Sequence, residues 1–343
     1  MGCSFWVDFN SKYVHFGLKY KFMPKLLPEI SKQILSKDIS EVIEKNYTSI
    51  APVWLPLQIT WVNNVYRTFH DYEKFMIIIH LMMKTFEAYS RNFVKLNYED
   101  FFNQIEIEIE KINVMEISKA LNIPKETTRR KINELEELGV IKRINKKYII
   151  DRNTWPSIKP EETLKSMSRF LSTLSKMLFK EGLISEQINS QSIIKTSKEY
   201  FSFVWKLYYE MQMPMLLGFK KLYGDLETFH IHGICISNHA LNSKKVDNTE
   251  MSKEFYLEKY FFAYKKDFSG INAMSISDIT GIPRATVIRK LNKLVEKKFL
   301  SMDSKKHYSS TGDHKKRILD VQKNTFYNLS NFASRIYNLT LIK

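Results

Sequence analysis

Apolar residues recur along most of this chain at three- and four-residue spacing, the period of a helix with one buried face. The pattern is sharpest at 271–300, INAMSISDITGIPRATVIRKLNKLVEKKFL. Ser275 stands where a helix cap is wanted, and Ile276, Ile279 and Thr280 then share one side of a short helix. Gly281 breaks it. Ile282-Pro283 follows, and proline suits the first turn of a new helix, where its missing N–H costs nothing. Val287, Leu291 and Leu294 make the inward stripe of that second helix, while Arg284, Thr286, Arg289, Lys290 and Lys293 occupy its other side. The prediction is a short helix, a tight turn, and a second helix with an apolar back and a basic front.

Residues 112–141, INVMEISKALNIPKETTRRKINELEELGVI, repeat this pattern without a gap, and 13 of 30 positions are identical. Asn122 replaces Gly281, and both residue types tolerate the left-handed backbone such a turn needs. Thr128, Ile132 and Leu135 form the inward stripe, and Lys125, Thr127, Arg129, Arg130 and Lys131 the front. Each copy is followed by strand-like sequence with a basic middle, VIKRINKKYII (140–150) and the longer FLSMDSKKHYSSTGDHKKR (299–317), which read as two-stranded wings. Gly139 precedes the first wing and Lys298 the second; a left-handed Lys costs about 1 kcal/mol, so the second helix end is expected to differ.

With these elements in place, the two segments resemble the winged helix-turn-helix domains of bacterial transcriptional regulators of the MarR or IclR sort. GIPRATVIRKLNKL follows the pattern of their recognition helices. The resemblance spans roughly residues 98–150 and 257–317, and it implies double-stranded DNA as the partner. Charge agrees with it. Residues 111–150 hold ten Lys/Arg against five Asp/Glu, and 270–317 eleven against four, so these segments carry +12 of the chain's formal +16. A basic surface concentrated on the reading modules is the footprint of a phosphate backbone.

The repetition extends outward. DYEKFMIIIHLMMKTFEAYS (71–90) matches DLETFHIHGICISNHALNSK (225–244) in Asp71/Asp225, Glu73/Glu227, Phe75/Phe229 and Ile77/Ile231. The expected organisation is an N-terminal helical segment 1–50 and a first repeat 51–181, followed by a linker 182–198 and a second repeat 199–343. QIEIEIEK (104–111) alternates like a strand, but is read as the solvated face of a helix leading into the first module, as 257–268 is for the second. The fold class is thus mostly α with small β wings: two winged helix-turn-helix modules with flanking helices in a pseudo-two-fold duplicated arrangement. The simplest arrangement is a fused pseudo-dimer whose two recognition helices enter successive major grooves, about 34 Å apart, with two independent modules on a string as the alternative; a monomeric pseudo-dimer or a homodimer is the expected state.

Two cysteines exclude a disulfide framework and a four-cysteine zinc site. The longest apolar run, FMIIIHLMM (75–83), is too short to span a bilayer, and Trp6 stands where an N-myristoylation signal wants Ser or Thr. No membrane partner and a cytoplasmic location are the expectations. His230, His232, Cys235 and His239 are metal-ligand types, and the last three share a helical face. Their counterparts Met76, Ile78, Leu81 and Thr85 are not ligands, so these positions read as core; a bound metal stays open, and none is assigned. The aromatics of 53–72 and 200–229 read as core before they read as a ligand pocket. No glycine-rich phosphate loop, nucleophile elbow or His-Glu-x-x-His appears, so no enzyme and no cofactor is expected.

The assigned roles follow from position. Lys125, Thr127 and Arg129, with Arg284, Thr286 and Ile288, face the bases. Arg130, Lys131, Arg289, Lys290 and Lys293 hold phosphates or the groove edge. Lys146, Lys147, Lys305, Lys306 and His307 are the wing contacts. The expected function is sequence-specific transcription regulation; RNA polymerase and a small-molecule effector are open as further partners. A replication initiator with tandem winged helices and a winged-helix protein-interaction scaffold are the alternatives.

Overall fold

The structure, a computed structural model, describes residues 33–109, 111–144, 147–154, 159–243 and 270–341. The first series of elements is α1 (Ser36–Lys45), α2 (Tyr47–Phe69), α3 (Tyr72–Arg91), α4 (Tyr98–Asn103), β1 (Glu106–Ile109), α5 (Val114–Leu121), α6 (Lys125–Glu137), β2 (Ile141–Ile144), β3 (Lys147–Asp151) and α7 (Glu161–Lys180). The second is α8 (Ser190–Glu199), α9 (Phe201–Tyr223), α10 (Leu226–Ser243), α11 (Ala273–Thr280), α12 (Arg284–Glu296), β4 (Leu300–Met302), β5 (Tyr308–Ser310) and α13 (Lys315–Leu341). α8, α9, α10 and α13 each start 154 residues after α1, α2, α3 and α7, and α11 and α12 start 159 after α5 and α6.

α2 carries Pro52 and Pro56 and α9 carries Pro214, yet both run for 23 residues. Burial outweighs the missing hydrogen bonds: Trp54, Trp61, Val62 and Val65 in α2, and Val204, Trp205, Tyr208 and Leu216 in α9, lie inside the core. The two series share that core, because α2 packs on α10 and α3 on α9. Trp61 meets Tyr208 edge-on, with ring centroids 6.0 Å apart. A Cβ at Gly233 of α10 would come within 2.7 Å of Ile59 Cδ1 of α2, so the glycine sets how closely those helices approach.

Helix starts and stops follow side-chain chemistry. Asp71 caps α3, its Oδ1 accepting the Glu73 and Lys74 amides at 2.9 and 3.1 Å. Asp225 does the same before α10, accepting the Thr228 amide at 2.8 Å. α2 ends at His70 and α9 at Gly224, both left-handed.

Several expectations change. The expected lead helix stops at Asn103, the end of α4, and Glu106–Ile109 form β1, which pairs with β3 in an antiparallel sheet ordered β1-β3-β2. The alternation decides it, because Ile107 and Ile109 are buried while Glu106 and Glu108 are exposed, and a helix would scatter these residues around its axis. The linker expected at 182–198 is largely structured: α8 begins at Ser190, its Ile193 is fully buried, and it packs on α7. Asn272, not Ser275, caps α11, accepting the Ser275 amide at 2.9 Å, and Ile279 is exposed. Pro124 and Pro283 stand at the N-cap, one residue before their helices. Lys298 does adopt the left-handed conformation (φ 59°), so this helix end matches that at Gly139 after all. The expected lead helix at 257–268 and residues 1–32 lie outside the described residues.

Candidate nucleic-acid interface

In the first module, Asn113 caps α5, accepting the Met115 and Glu116 amides. Asn122 turns the chain at φ 49°, and Ile123 locks the turn into the core. The Ser118 hydroxyl donates to the Ile123 carbonyl at 2.7 Å. The second segment repeats each part: Asn272 caps α11, Gly281 turns at φ 74°, Ile282 is buried, and Ser277 Oγ donates to the Ile282 carbonyl at 2.7 Å. Thr128, Ile132 and Leu135 of α6 and Val287, Leu291 and Leu294 of α12 are buried, as their spacing predicts.

The opposite faces are open. Lys125, Arg129, Arg130, Arg284 and Arg289 are exposed, Thr127 and Thr286 half-buried, and Ile288 lies exposed between them. Their electrostatics differ. In α6, Arg129 pairs with Glu126 at 2.8 Å and Arg130 with Glu134 at 3.4 Å. In α12, Arg284 and Arg289 have no ion pair among the described residues. The wings add exposed Lys147, Lys305 and Lys306. Lys147 reaches Glu108 on β1 at 2.9 Å. His307 is held by Asp303, which accepts its amide at 2.8 Å and approaches its ring at 3.4 Å. Lys146 lies outside the described residues.

Two assigned phosphate contacts are corrected. Lys131 and Lys290 do not face outward; their side chains are 12% and 10% exposed and turn back toward the core. Lys131 Nζ lies 2.6 Å from Asp71, and Lys290 Nζ 2.6 Å from Asp225. α6 and α12 are thereby each bolted to the capping aspartate of the core helix beneath it. Burial opposes charge on Lys131, but Asp71 and Glu134 outweigh it and hold its pKa above the usual value. Burial likewise pushes Asp225 up, and donors from Lys290 and Thr228 outweigh that and hold it down. Lys293 is half-exposed with its ammonium 3.7 Å from the same Asp225, which leaves it free to swing outward.

A second attachment escaped the sequence reading. Lys220, near the end of α9, donates to the Leu121 and Asn122 carbonyls at 3.4 and 3.0 Å, closing the C-terminus of α5. Arg67, near the end of α2, donates to the Asp278 and Ile279 carbonyls of α11 at 3.3 and 2.9 Å. Cations at helix C-termini satisfy bare carbonyls and oppose the helix dipole. Each series thus grips the helix-turn-helix of the other. The repeated Asp71/Asp225 and Lys131/Lys290 pairs were a usable signal for the first attachment; nothing in sequence spacing signals the second.

Two of the metal-type residues are engaged in hydrogen bonds within the core. His230 lies between Tyr72 Oη (2.8 Å) and Asn63 Oδ1 (2.6 Å), and His232 between Tyr223 Oη (2.6 Å) and Ser310 Oγ (3.1 Å). Burial pushes both imidazoles down to about 3 and the Cys235 thiol up to about 12. Among the described residues no group of three or more His, Cys, Asp or Glu could hold a metal ion, and no helix is long and apolar enough to cross a membrane.

Residues 108–151, from mid-β1 to the end of β3, match the family model of the DeoR-like helix-turn-helix domain. No curated protein and no solved structure matches the chain.

Proposed function

We propose that this chain is a sequence-specific double-stranded DNA-binding protein, a non-enzymatic transcriptional regulator acting in the cytoplasm. A helix-turn-helix places the N-terminal part of its second helix in the major groove. The observation that carries the reading is the sidedness of α6: an apolar back sunk in the core, a docking lysine turned inward, and Lys125, Thr127, Arg129 and Arg130 left outside. We read 270–317 as a second winged helix-turn-helix of MarR- or IclR-like pattern, arisen with its flanking helices by tandem duplication. One chain then supplies both recognition helices, with no second subunit required.

The two fronts divide the work. α6 carries Glu126, Glu134, Glu136 and Glu137 against Lys125, Arg129, Arg130 and Lys131, so it is formally neutral. α12 sets one acid, Glu296, against four bases, for +3. α12 therefore supplies most of the salt-sensitive affinity, through Arg289, Lys293 and the wing lysines Lys305 and Lys306. α6 supplies discrimination: the right bases must outcompete Glu126 for Arg129, while an unpaired guanidinium would bind any duplex. The differing fronts favour an asymmetric site over a palindrome.

The test is a salt titration of the full chain on a random duplex, followed by selection of bound sequences from a random pool. Affinity should fall linearly in log–log form, and the selected pool should converge on one asymmetric motif. Binding that ignores salt, or a pool that stays random, would overturn the reading.

A further inference from the structure

Behind the first wing lies a cavity of about 450 Å³, the size of a small-molecule site. Its walls come from α2, α3, α4, β1, α9, the turn after β3 and the start of α7, and they are dominated by aromatic rings, among them Trp61, Phe75, Phe86, Phe101, Trp205 and Tyr209. One wall residue does not suit that surface. Arg152, the residue that follows β3, is 8% exposed, and both terminal nitrogens of its guanidinium lack a hydrogen-bond partner. The group lies over the Phe101 ring at 4.0 Å and the Phe102 ring at 4.8 Å, and no carboxylate pairs with it among the described residues. Burial pushes its pKa down to about 10, still charged at neutral pH.

A buried cation without a counter-ion destabilises a fold. The pseudo-symmetric space walled by Ala51, Leu55, Met215, Phe219 and Phe229 is about 80 Å³, with no cation in its lining among the described residues.

We propose that this cavity binds a small organic carboxylate with an aromatic body, the carboxylate pairing with Arg152 and the ring stacking among the aromatic walls. A guanidinium matches a carboxylate with two parallel N–H···O bonds. A single negative charge fits better than a phosphate dianion. The lysine of the lining, Lys159, already lies 3.7 Å from Glu99, and the carboxyls of Glu161 and Glu162 also line the space. Arg152 roots the first wing, and Arg67, at another part of the lining, grips α11. An occupant would therefore touch supports of both helix-turn-helix segments; its regulatory consequence rests on the DNA-binding reading, whereas its binding does not.

The test is calorimetry on the full chain without DNA, using 1-naphthoate, its neutral isostere 1-naphthamide, and 1-naphthyl phosphate. Saturable binding of 1-naphthoate at least tenfold tighter than either comparator is expected. Arg152→Met should abolish that preference while melting at the same or a higher temperature, since it removes an uncompensated buried charge. Arg152→Lys, which keeps the charge and loses the fork, should weaken 1-naphthoate about tenfold and serves where the methionine variant does not fold. Equal affinity for naphthoate and naphthamide, unchanged affinity in either variant, or no naphthoate binding at millimolar concentration would overturn the proposal.

Discussion

Neighbouring residues Arg289 and Lys290 should fail in opposite ways. Lys290 reaches inward to Asp225 at 2.6 Å, whereas Arg289 is exposed and unpaired among the described residues. Lys290→Met keeps most of the buried stem and deletes the charge. Removing one partner of a fully buried pair costs about 3–5 kcal/mol. Asp225 is 28% exposed, keeps the Thr228 amide and hydroxyl at 2.8 and 2.6 Å, and has Lys293 waiting at 3.7 Å. The cost therefore falls to about 2 kcal/mol, a drop of about 3 °C in melting temperature for a chain of this size. Arg289→Ala should leave the melt unchanged and reduce the salt slope of duplex binding by about one, the signature of one lost phosphate contact. Thermal melts and anisotropy titrations at several salt concentrations read both quantities. An unchanged melt with a reduced salt slope for Lys290→Met would show that the lysine reaches DNA and that its pairing with Asp225 is incidental.

Stability should fall on acidification. Unfolded histidines take up a proton below pH 6.5, whereas His230 and His232 resist until about 3, so between these values the unfolded chain binds more protons. At pH 4 each contributes a loss on the order of 3 kcal/mol, and His232→Gln should reduce the decline between pH 6.5 and 4 by about that amount in a pH series of urea melts; an undiminished decline would place the sensitivity elsewhere. Lys298→Gly should stabilise by about 0.5–1 kcal/mol, because glycine adopts φ 59° without the penalty a side chain incurs. A destabilised variant in urea titration would mean that the lysine side chain contributes more than its backbone costs.

Much of the fold could be read locally. The inward stripes of α6 and α12, the left-handed turns at Asn122 and Gly281 and the two wings depend on neighbours within ten residues, and they appear where periodicity puts them. At Glu106–Ile109 the period-two alternation is a stronger signal than continuity with a helix leading into the module, and the strand it encodes forms. α8 was missed because it is polar by composition and is made a helix by what packs on it. On the candidate interface, exposure of Arg130 (63%) follows from the helical wheel, but the inward turn of Lys131, the next residue, depends on Asp71 sixty residues upstream. A long cation at the margin of an amphipathic helix can point either way, and only a partner from another element decides. Arg152 carried no signal, since a basic residue just after a wing strand reads as a surface charge.

The crossed grips of Arg67 on α11 and Lys220 on α5 forbid a simple dissection of the chain. A fragment ending after α7 would keep a full set of first-series elements, yet the carbonyls of Leu121 and Asn122 would lose their ammonium and α3 would lose the helix that covers it. Injury to either side is thus shared by both, and one-armed versions of this molecule are not a stage that truncation can reach.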